Sequence, residues 1–162
     1  MASDDLSWID DAICVGRGGL VAMFSELKKQ GLGLVINLEK AFHSEEEKAS
    51  KKIGLDYLYC PVKDYTAPTQ DQLDMVVAKM RDAVDSGKKV YIHCGAGHGR
   101  SPTFVAAYLI SRCKTMAEAI EIVKKKRPSV WISSGDIQGR DGALPEFERR
   151  KKSGELKFPI CK

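Results

Sequence analysis

The sequence predicts an α/β domain with a central, mainly parallel sheet of four to five strands flanked by helices. Two observations carry that prediction. Four short apolar runs, Ile13–Val15, Leu32–Leu38, Leu55–Cys60 and Val90–His93, have the length and composition of buried strands. Helical stretches separate them, and this alternation builds βαβ units and a parallel sheet. A chain of 162 residues is large enough for one such sheet covered by helices. Residues 1–152 are therefore read as a single domain and 153–162 as a C-terminal tail.

The elements follow in order. Trp8 is expected to be a packing anchor near the N-terminus. Leu20 to Gln30 forms a first short helix, closed by Gly31. Ser44-x-x-Glu47 has capping-box spacing and predicts a second helix to about Ile53. Thr69-x-x-Gln72 repeats the device, and Leu73, Val76, Val77, Met80 and Val84 then recur at helical spacing, giving the longest helix, stopped by Gly87. Thr103 to Arg112 is almost wholly apolar and predicts a central buried helix. Thr115-x-x-Glu118 caps another, with Ala119, Ile120 and Val123 facing inward and Pro128 ending it. Ser133–Gly142 is polar and Gly-rich, hence a loop. Leu144 to Lys152 is a final amphipathic helix. The tail Ser153–Lys162 is expected to be poorly ordered, with Phe158, Pro159 and Ile160 able to dock on the body.

Composition narrows the class. The balance of 43% hydrophobic and 30% charged residues is that of an ordinary soluble protein, and no apolar run reaches membrane-spanning length. The start Met1-Ala-Ser-Asp-Asp5 is acidic, unlike a signal peptide, so the expectation is a cytoplasmic protein with no membrane insertion. Five cysteines (Cys14, Cys60, Cys94, Cys113 and Cys161) are odd in number and widely spaced, with no CxxC pair. Neither a disulfide framework nor a zinc site is expected. The net charge of +4 is clustered in Lys124–Arg127 and Arg149–Lys152. These runs read as solvated helix ends that suit the helix dipole, or as surfaces for acidic partners. No aromatic-interleaved basic face marks a nucleic-acid module. The single-domain form predicts a monomer.

Function is concentrated in Val90-Tyr-Ile-His-Cys-Gly-Ala-Gly-His-Gly-Arg-Ser-Pro-Thr103. A strand ends in His93-Cys94, the loop Gly95, Ala96, Gly97, His98, Gly99 follows, and Arg100-Ser101 opens a helix. A cysteine becomes a strong nucleophile as its thiolate, which a helix N-terminus or a cation favours. Three glycines let successive backbone N–H groups turn inward as an anion-binding nest. Arg100 adds a planar fork for two phosphate oxygens. A structural cysteine at a strand end would leave the glycines, the arginine and the helix start unexplained.

The string resembles the Cys-x5-Arg loop of the protein tyrosine phosphatase superfamily, and Ser101-Pro-Thr-Phe-Val-Ala-Ala-Tyr-Leu109 is most similar to its dual-specificity branch. The resemblance spans roughly Trp8 to Pro128. It implies a dual-specificity phosphatase-like fold and Cys94 as nucleophile. Gly95 to Arg100 become the phosphate cradle. Asp64, in Pro61-Val-Lys-Asp-Tyr-Thr-Ala-Pro68, becomes the acid that protonates the leaving group. Asp56, Asp71 and Asp74 are weaker candidates for that role. Ser101 takes the family role of stabilising the departing thiolate, or serves as an ordinary N-cap ahead of Pro102. His93 braces the loop and helps keep Cys94 ionised. Gln138 is a candidate for positioning water, and Cys60 for a regulatory disulfide with Cys94. No cofactor and no metal are implied, because Arg100 and the nest supply the positive charge.

Phosphorylated protein substrates, on tyrosine and on serine or threonine, are the first expectation. The chain is short and lacks the elaborations that deepen a tyrosine-only pocket. Phosphoinositides and RNA 5′-triphosphate ends are alternatives within the same chemistry, although the loop lacks the lysines that meet extra phosphates. A binding-only pseudophosphatase is disfavoured because Cys94, Arg100 and Asp64 are all present. A sulfurtransferase leaves Arg100-Ser101 and the upstream acid without a role.

Overall fold

The computed structural model describes residues 5–132, 143–159 and 161. Five strands form one sheet in the order β1-β2-β5-β3-β4. They are β1 (Leu6–Trp8), β2 (Ile13–Arg17), β3 (Leu32–Asn37), β4 (Asp56–Tyr59) and β5 (Lys89–Cys94). All pairings are parallel except that of β1 with β2. The short antiparallel β1 is the one strand that the apolar pattern did not reveal, because its residues are only half-buried. Trp8 lies on it, packs on the sheet and has the Lys89 ammonium 5.0 Å from its ring.

Side-chain alternation on the strands divides the core into two layers. Ile13, Val15, Leu34, Ile36, Val90 and Ile92 face one side. There they meet α3 (Gln70–Asp85), α4 (Arg100–Ser111), α5 (Met116–Lys126) and α6 (Ala143–Lys152). Cys14, Val35 and Tyr91 face the other side, covered by α1 (Phe24–Lys29) and α2 (His43–Ile53). Every residue of α4 is buried, so this helix is the centre of its layer. Both threonine capping boxes are present, on Thr69 and Thr115.

Three expectations need correction. Ser44 does not cap α2: the helix starts at His43, its N-cap is Phe42, and Glu39 instead caps a preceding 3-10 turn over Lys40–Phe42. The C-terminal tail is docked. Leu156 is buried, Phe158 packs against Phe147 with ring centroids 6.3 Å apart, and the Arg81 guanidinium lies 5.0 Å from the Phe158 ring. The cysteine pattern also concealed a disulfide, Cys113–Cys161, that ties the tail to the turn after α4. Forty-eight residues separate the partners, so sequence spacing carried no sign of it. Cys14, Cys60 and Cys94 are free and buried. Burial pushes the Cys60 thiol up from its ordinary range and that of Cys14 up to about 12, despite Arg127 and a Ser7 backbone contact at Cys14. Gln138 and the 133–142 loop lie outside the described residues.

The four parallel strands all end on one edge of the sheet, at Arg17, Asn37, Tyr59 and Cys94. Open α/β sheets place their ligand crevices on this edge.

A loop as long as the one closed by Cys113–Cys161 restricts the unfolded chain considerably. Cys161→Ser is therefore expected to lower the unfolding free energy by about 2–4 kcal/mol. Urea unfolding of the oxidised protein and the variant measures this, and coincident curves would show that the bridge contributes nothing.

Candidate active site

The β5 strand delivers Cys94 to the sheet edge, where the chain turns through Gly95–Gly99 into α4. The carbonyl groups of this turn explain its shape. The Cys94 oxygen lies 3.0 Å from His93 Nδ1, and the Gly95 oxygen accepts from Gly18 N–H at 3.0 Å. Arg127 donates to the next two, through Nη2 to Ala96 at 3.1 Å and through Nε to Gly97 at 2.9 Å. The His98 oxygen accepts from Trp131 N–H at 2.7 Å, and the Gly99 oxygen from Thr103 Oγ1 at 2.8 Å. Each carbonyl from Cys94 to Gly99 is thus held from outside the loop. In a trans peptide the N–H points opposite to its C=O. Holding the oxygens outward therefore directs the amides of residues 95–100 to the interior, which is the geometry of an anion nest.

Gly97 shows why glycine is required. Its φ of +76° is left-handed, and a Cβ there would collide with the Gly16 carbonyl. Gly18 has a different reason: a Cβ on it would strike the Phe42 ring.

Cys94 is 3% exposed, with its sulfur 3.3 Å from Ser101 Oγ. The N-cap of α4 is Gly99, and Ser101 stands on the second helical residue. The N-cap alternative for Ser101 therefore fails, and its hydroxyl is engaged with the sulfur. The helix begins at Arg100, as the loop-to-helix reading of Arg100-Ser101 expected, and both residues are buried.

His93 is fully buried. Its Nδ1 meets the Cys94 carbonyl, and its Nε2 lies 2.6 Å from Glu46 Oε2. A carbonyl only accepts, so Nδ1 carries a proton. Glu46, also fully buried, accepts from Gly19 N–H at 3.2 Å and so ties α2 to the loops around the site.

Arg100 is 4% exposed and held on three sides. Nη1 donates to the Val62 carbonyl at 2.8 Å, Nη2 pairs with Glu39 Oε2 at 2.7 Å, and Nε is 3.4 Å from Asp64 Oδ1. Partial burial alone would raise the Glu39 carboxyl, but the Arg100 hydrogen bond and charge outweigh it and hold the group below its usual range. Asp64 lies on the exposed rim and accepts the Tyr65 N–H at 2.9 Å. The weaker acid candidates are occupied elsewhere: Asp56 pairs with Lys88 at the opposite end of its strand, Asp74 with Arg150, and Asp71 opens α3. Cys94, Ala96, His98, Gly99 and Arg100 line a pocket of about 80 Å³, with Asp64, Tyr65 and Trp131 at its mouth. Among the described residues no cluster of potential ligands fits a metal ion.

The sequence reading missed Glu39, Glu46 and Arg127. Arg127 was grouped with a solvated basic run, yet it is 2% exposed, and only Lys124–Lys126 face solvent. Its spacing held a sign of this: Arg127 follows the buried Ala119 and Val123 at four-residue intervals, on the same helix face. Glu46 likewise shares a face with the buried Ser50.

Comparison with known proteins agrees with this geometry. The model of the dual specificity phosphatase catalytic domain matches residues 19–137. The chain is 33% identical over 127 residues to phosphatidylglycerophosphate phosphatase PTPMT2 of Arabidopsis thaliana, covering 76% of this chain and 56% of that protein. It is also 33% identical over 114 residues to the human phosphatidylglycerophosphatase and protein-tyrosine phosphatase 1, covering 69% of this chain and 55% of the relative. The chain thus spans little more than half the length of these relatives. Among solved structures, PTPMT1 in complex with PI(5)P superposes with a TM-score of 0.79 at 28% identity, covering 91% of this chain and 96% of that one. Tk-PTP in its active form gives 0.78 at 29%, covering 93% and 99%.

Two outcomes follow from the geometry. Glu39 is held more acidic in the folded state than in the unfolded chain. The stability it gives is full above its ordinary value of 4.5 and is lost as pH falls through the lower, folded value. Glu39→Gln is thus expected to lower stability at neutral pH and to converge with the wild type in acid, whereas parallel curves would show no contribution from the pair. Arg127→Met keeps most of the buried volume but strips the Ala96 and Gly97 carbonyls of their donors. It is expected to slow hydrolysis of a small aryl phosphate about 100-fold through loop misplacement. Arg127→Lys should not restore the rate, because an ammonium cannot reproduce the fork.

Proposed function

The chain belongs to the dual-specificity phosphatase catalytic-domain family, and from that premise we propose that it is a lipid-headgroup phosphate monoesterase in which Cys94, Arg100, Asp64 and Ser101 carry the reaction. The observation that supports these roles most directly is the Cys94 sulfur beside the Ser101 hydroxyl, at the floor of a loop whose carbonyls all face outward.

The cycle has two steps. The Cys94 thiolate attacks phosphorus, the bond to the leaving oxygen breaks, and Asp64 gives its proton to that oxygen. Water then attacks the phosphocysteine, Asp64 takes the water's proton, and the sulfur–phosphorus bond breaks. Ser101 donates its O–H to the departing sulfur. Throughout, the inward amides and the Arg100 guanidinium hold the equatorial oxygens, where charge is greatest in the transition state. His93, Glu46 and Arg127 act through the loop they hold and serve as positioning residues. The positive charge is supplied by the protein itself, so this cycle calls for no metal or cofactor.

The substrate is argued from the relatives and from the loop. The plant and human relatives carry names for phosphatidylglycerophosphate hydrolysis, and a structural neighbour holds PI(5)P. A loop without lysine, Gly95–Gly99, suits a headgroup with a single monoester better than one with several phosphates. Phosphorylated proteins, the first expectation from sequence, stand as the second reading. The small, open pocket admits phosphoserine and phosphothreonine as well as phosphotyrosine, and the human relative's name covers both activities. Monomeric state and cytoplasmic location remain part of this proposal, together with the absence of a nucleic-acid partner. Among the described residues no helix is long and apolar enough to cross a membrane.

The test is phosphate release from phosphatidylglycerophosphate and phosphatidylinositol 5-phosphate in detergent micelles, beside matched phosphotyrosine and phosphothreonine peptides, with reductant and without metal. Lipid turnover that exceeds peptide turnover and disappears in Cys94→Ser is expected. Turnover of peptides alone would replace the lipid reading by the protein reading. Asp64→Asn is expected to reduce kcat by about 10²–10⁴-fold, the usual worth of a positioned acid.

A further inference from the structure

Among the described residues the large hydrophobic side chains exposed to solvent are Tyr65 (64%), Met75 (45%) and Trp131 (50%). Two of these three stand at the mouth of the Cys94 pocket. They are fixed there. The Tyr65 and Trp131 rings are near-parallel, with centroids 6.4 Å apart, and the His98 ring lies 5.2 Å from Trp131. Trp131 is tied to the phosphate loop through its backbone bond to His98, and the Tyr65 N–H donates to the adjacent Asp64 carboxylate. A pocket of about 80 Å³ takes a phosphoryl group and little else. The remainder of any substrate must therefore lie across these rings. Tyr and Trp are suited to such a boundary because each joins an apolar ring to a polar group.

Charge near the site adds to this: Lys63 shares the segment of Tyr65, and Lys40 opens the 3-10 turn that follows Glu39. Glu39 and Asp64 turn toward Arg100, while their neighbours Lys40 and Lys63 are exposed and have no ion-pair partner among the described residues. Lys40 and Lys63 thus add two exposed positive charges beside the single exposed carboxylate of Asp64.

We propose that the mouth of the site is a membrane-docking surface for an anionic bilayer, with Tyr65 and Trp131 entering the headgroup layer and Lys40 and Lys63 facing its negative charge. This deepens, and rests on, the lipid-headgroup reading above. The rim brings the pocket to a phosphate that already lies at the bilayer surface, so the lipid need not leave the membrane. Apolar contact and charge contribute separately, as they do for peripheral proteins generally.

Trp131 is also the reporter. The chain has two tryptophans, and the other, Trp8, is packed on the sheet. Titration with vesicles of phosphatidylcholine doped with phosphatidylglycerol is expected to shift tryptophan emission to the blue. Vesicles of phosphatidylcholine alone should bind more weakly. Trp131→Ala, followed by vesicle sedimentation, should lose about tenfold in affinity, the worth of burying a large side chain. Lys63→Glu and raised salt should each weaken binding about fivefold or more, since a basic residue near an anionic surface contributes on that order. Circular-dichroism melts establish that the variants are folded.

Equal binding by wild type and Trp131→Ala overturns the proposal, as does indifference to anionic lipid. A rim dependence seen only with phosphopeptides also overturns it and assigns the rings to a peptide. Sedimentation needs no turnover, so the two claims separate. Micellar lipid hydrolysis without vesicle binding removes the docking surface alone, and failure of micellar hydrolysis removes the substrate reading.

Discussion

The site depends on one constraint: six consecutive carbonyls, Cys94 to Gly99, are all held outward. No single element does this. The donors come from the strand itself (His93), the turn after β2 (Gly18), the end of α5 (Arg127), the segment beyond it (Trp131) and the first turn of α4 (Thr103). Five parts of the chain therefore agree on one loop conformation. An anion nest built this way is preorganised, and no backbone rearrangement opposes substrate binding. The same arrangement explains the buried, central α4: a helix whose N-terminus must stay fixed at the loop is surrounded by core on all sides.

Such bracing requires charge in unfavourable places. Arg127 and Glu46 are buried, and each is accommodated because its polar atoms meet partners of fixed geometry. Arg127 joins the loop to β1, since Nη1 also donates to Ser7 at 3.1 Å. The short antiparallel strand thereby becomes part of the site's support. Arg81 follows the same rule away from the site, giving its Nη1 to the Ser111 carbonyl at the end of α4. Both ends of that helix are thus gripped by buried arginines from neighbouring elements or by groups those arginines hold.

How legible this was in the sequence follows from the range of each interaction. The Cys94–Arg100 string, the two threonine capping boxes and the strand runs are local, and they could be read directly. Asp64 needed the family resemblance, because nothing within its own loop distinguishes an acid from a turn former. The bracing residues were hidden for another reason. Polar residues on an apolar stripe look like errors in the pattern, so Arg127 was read with Lys124–Lys126, and Ser44-x-x-Glu47 drew attention away from Glu46. Reading helix faces without excusing charged positions would have recovered both. Cys113–Cys161 and the docked tail depend on a contact across 48 residues, and no local pattern encodes it.

The arrangement around Arg100 also orders the events of the proposed cycle. Its Nη1 and Nη2 are committed to Val62 and Glu39, which fixes the plane of the guanidinium. Its Nε contact with Asp64 is the longest of the three and involves the one partner on the exposed rim. In the proposed cycle a phosphate group entering the nest would compete for that edge of the fork, with Asp64 as the partner to yield and Glu39 as the one that keeps Arg100 oriented. Two carboxylates thus meet one arginine in different settings, the half-buried Glu39 at 2.7 Å and the exposed Asp64 at 3.4 Å.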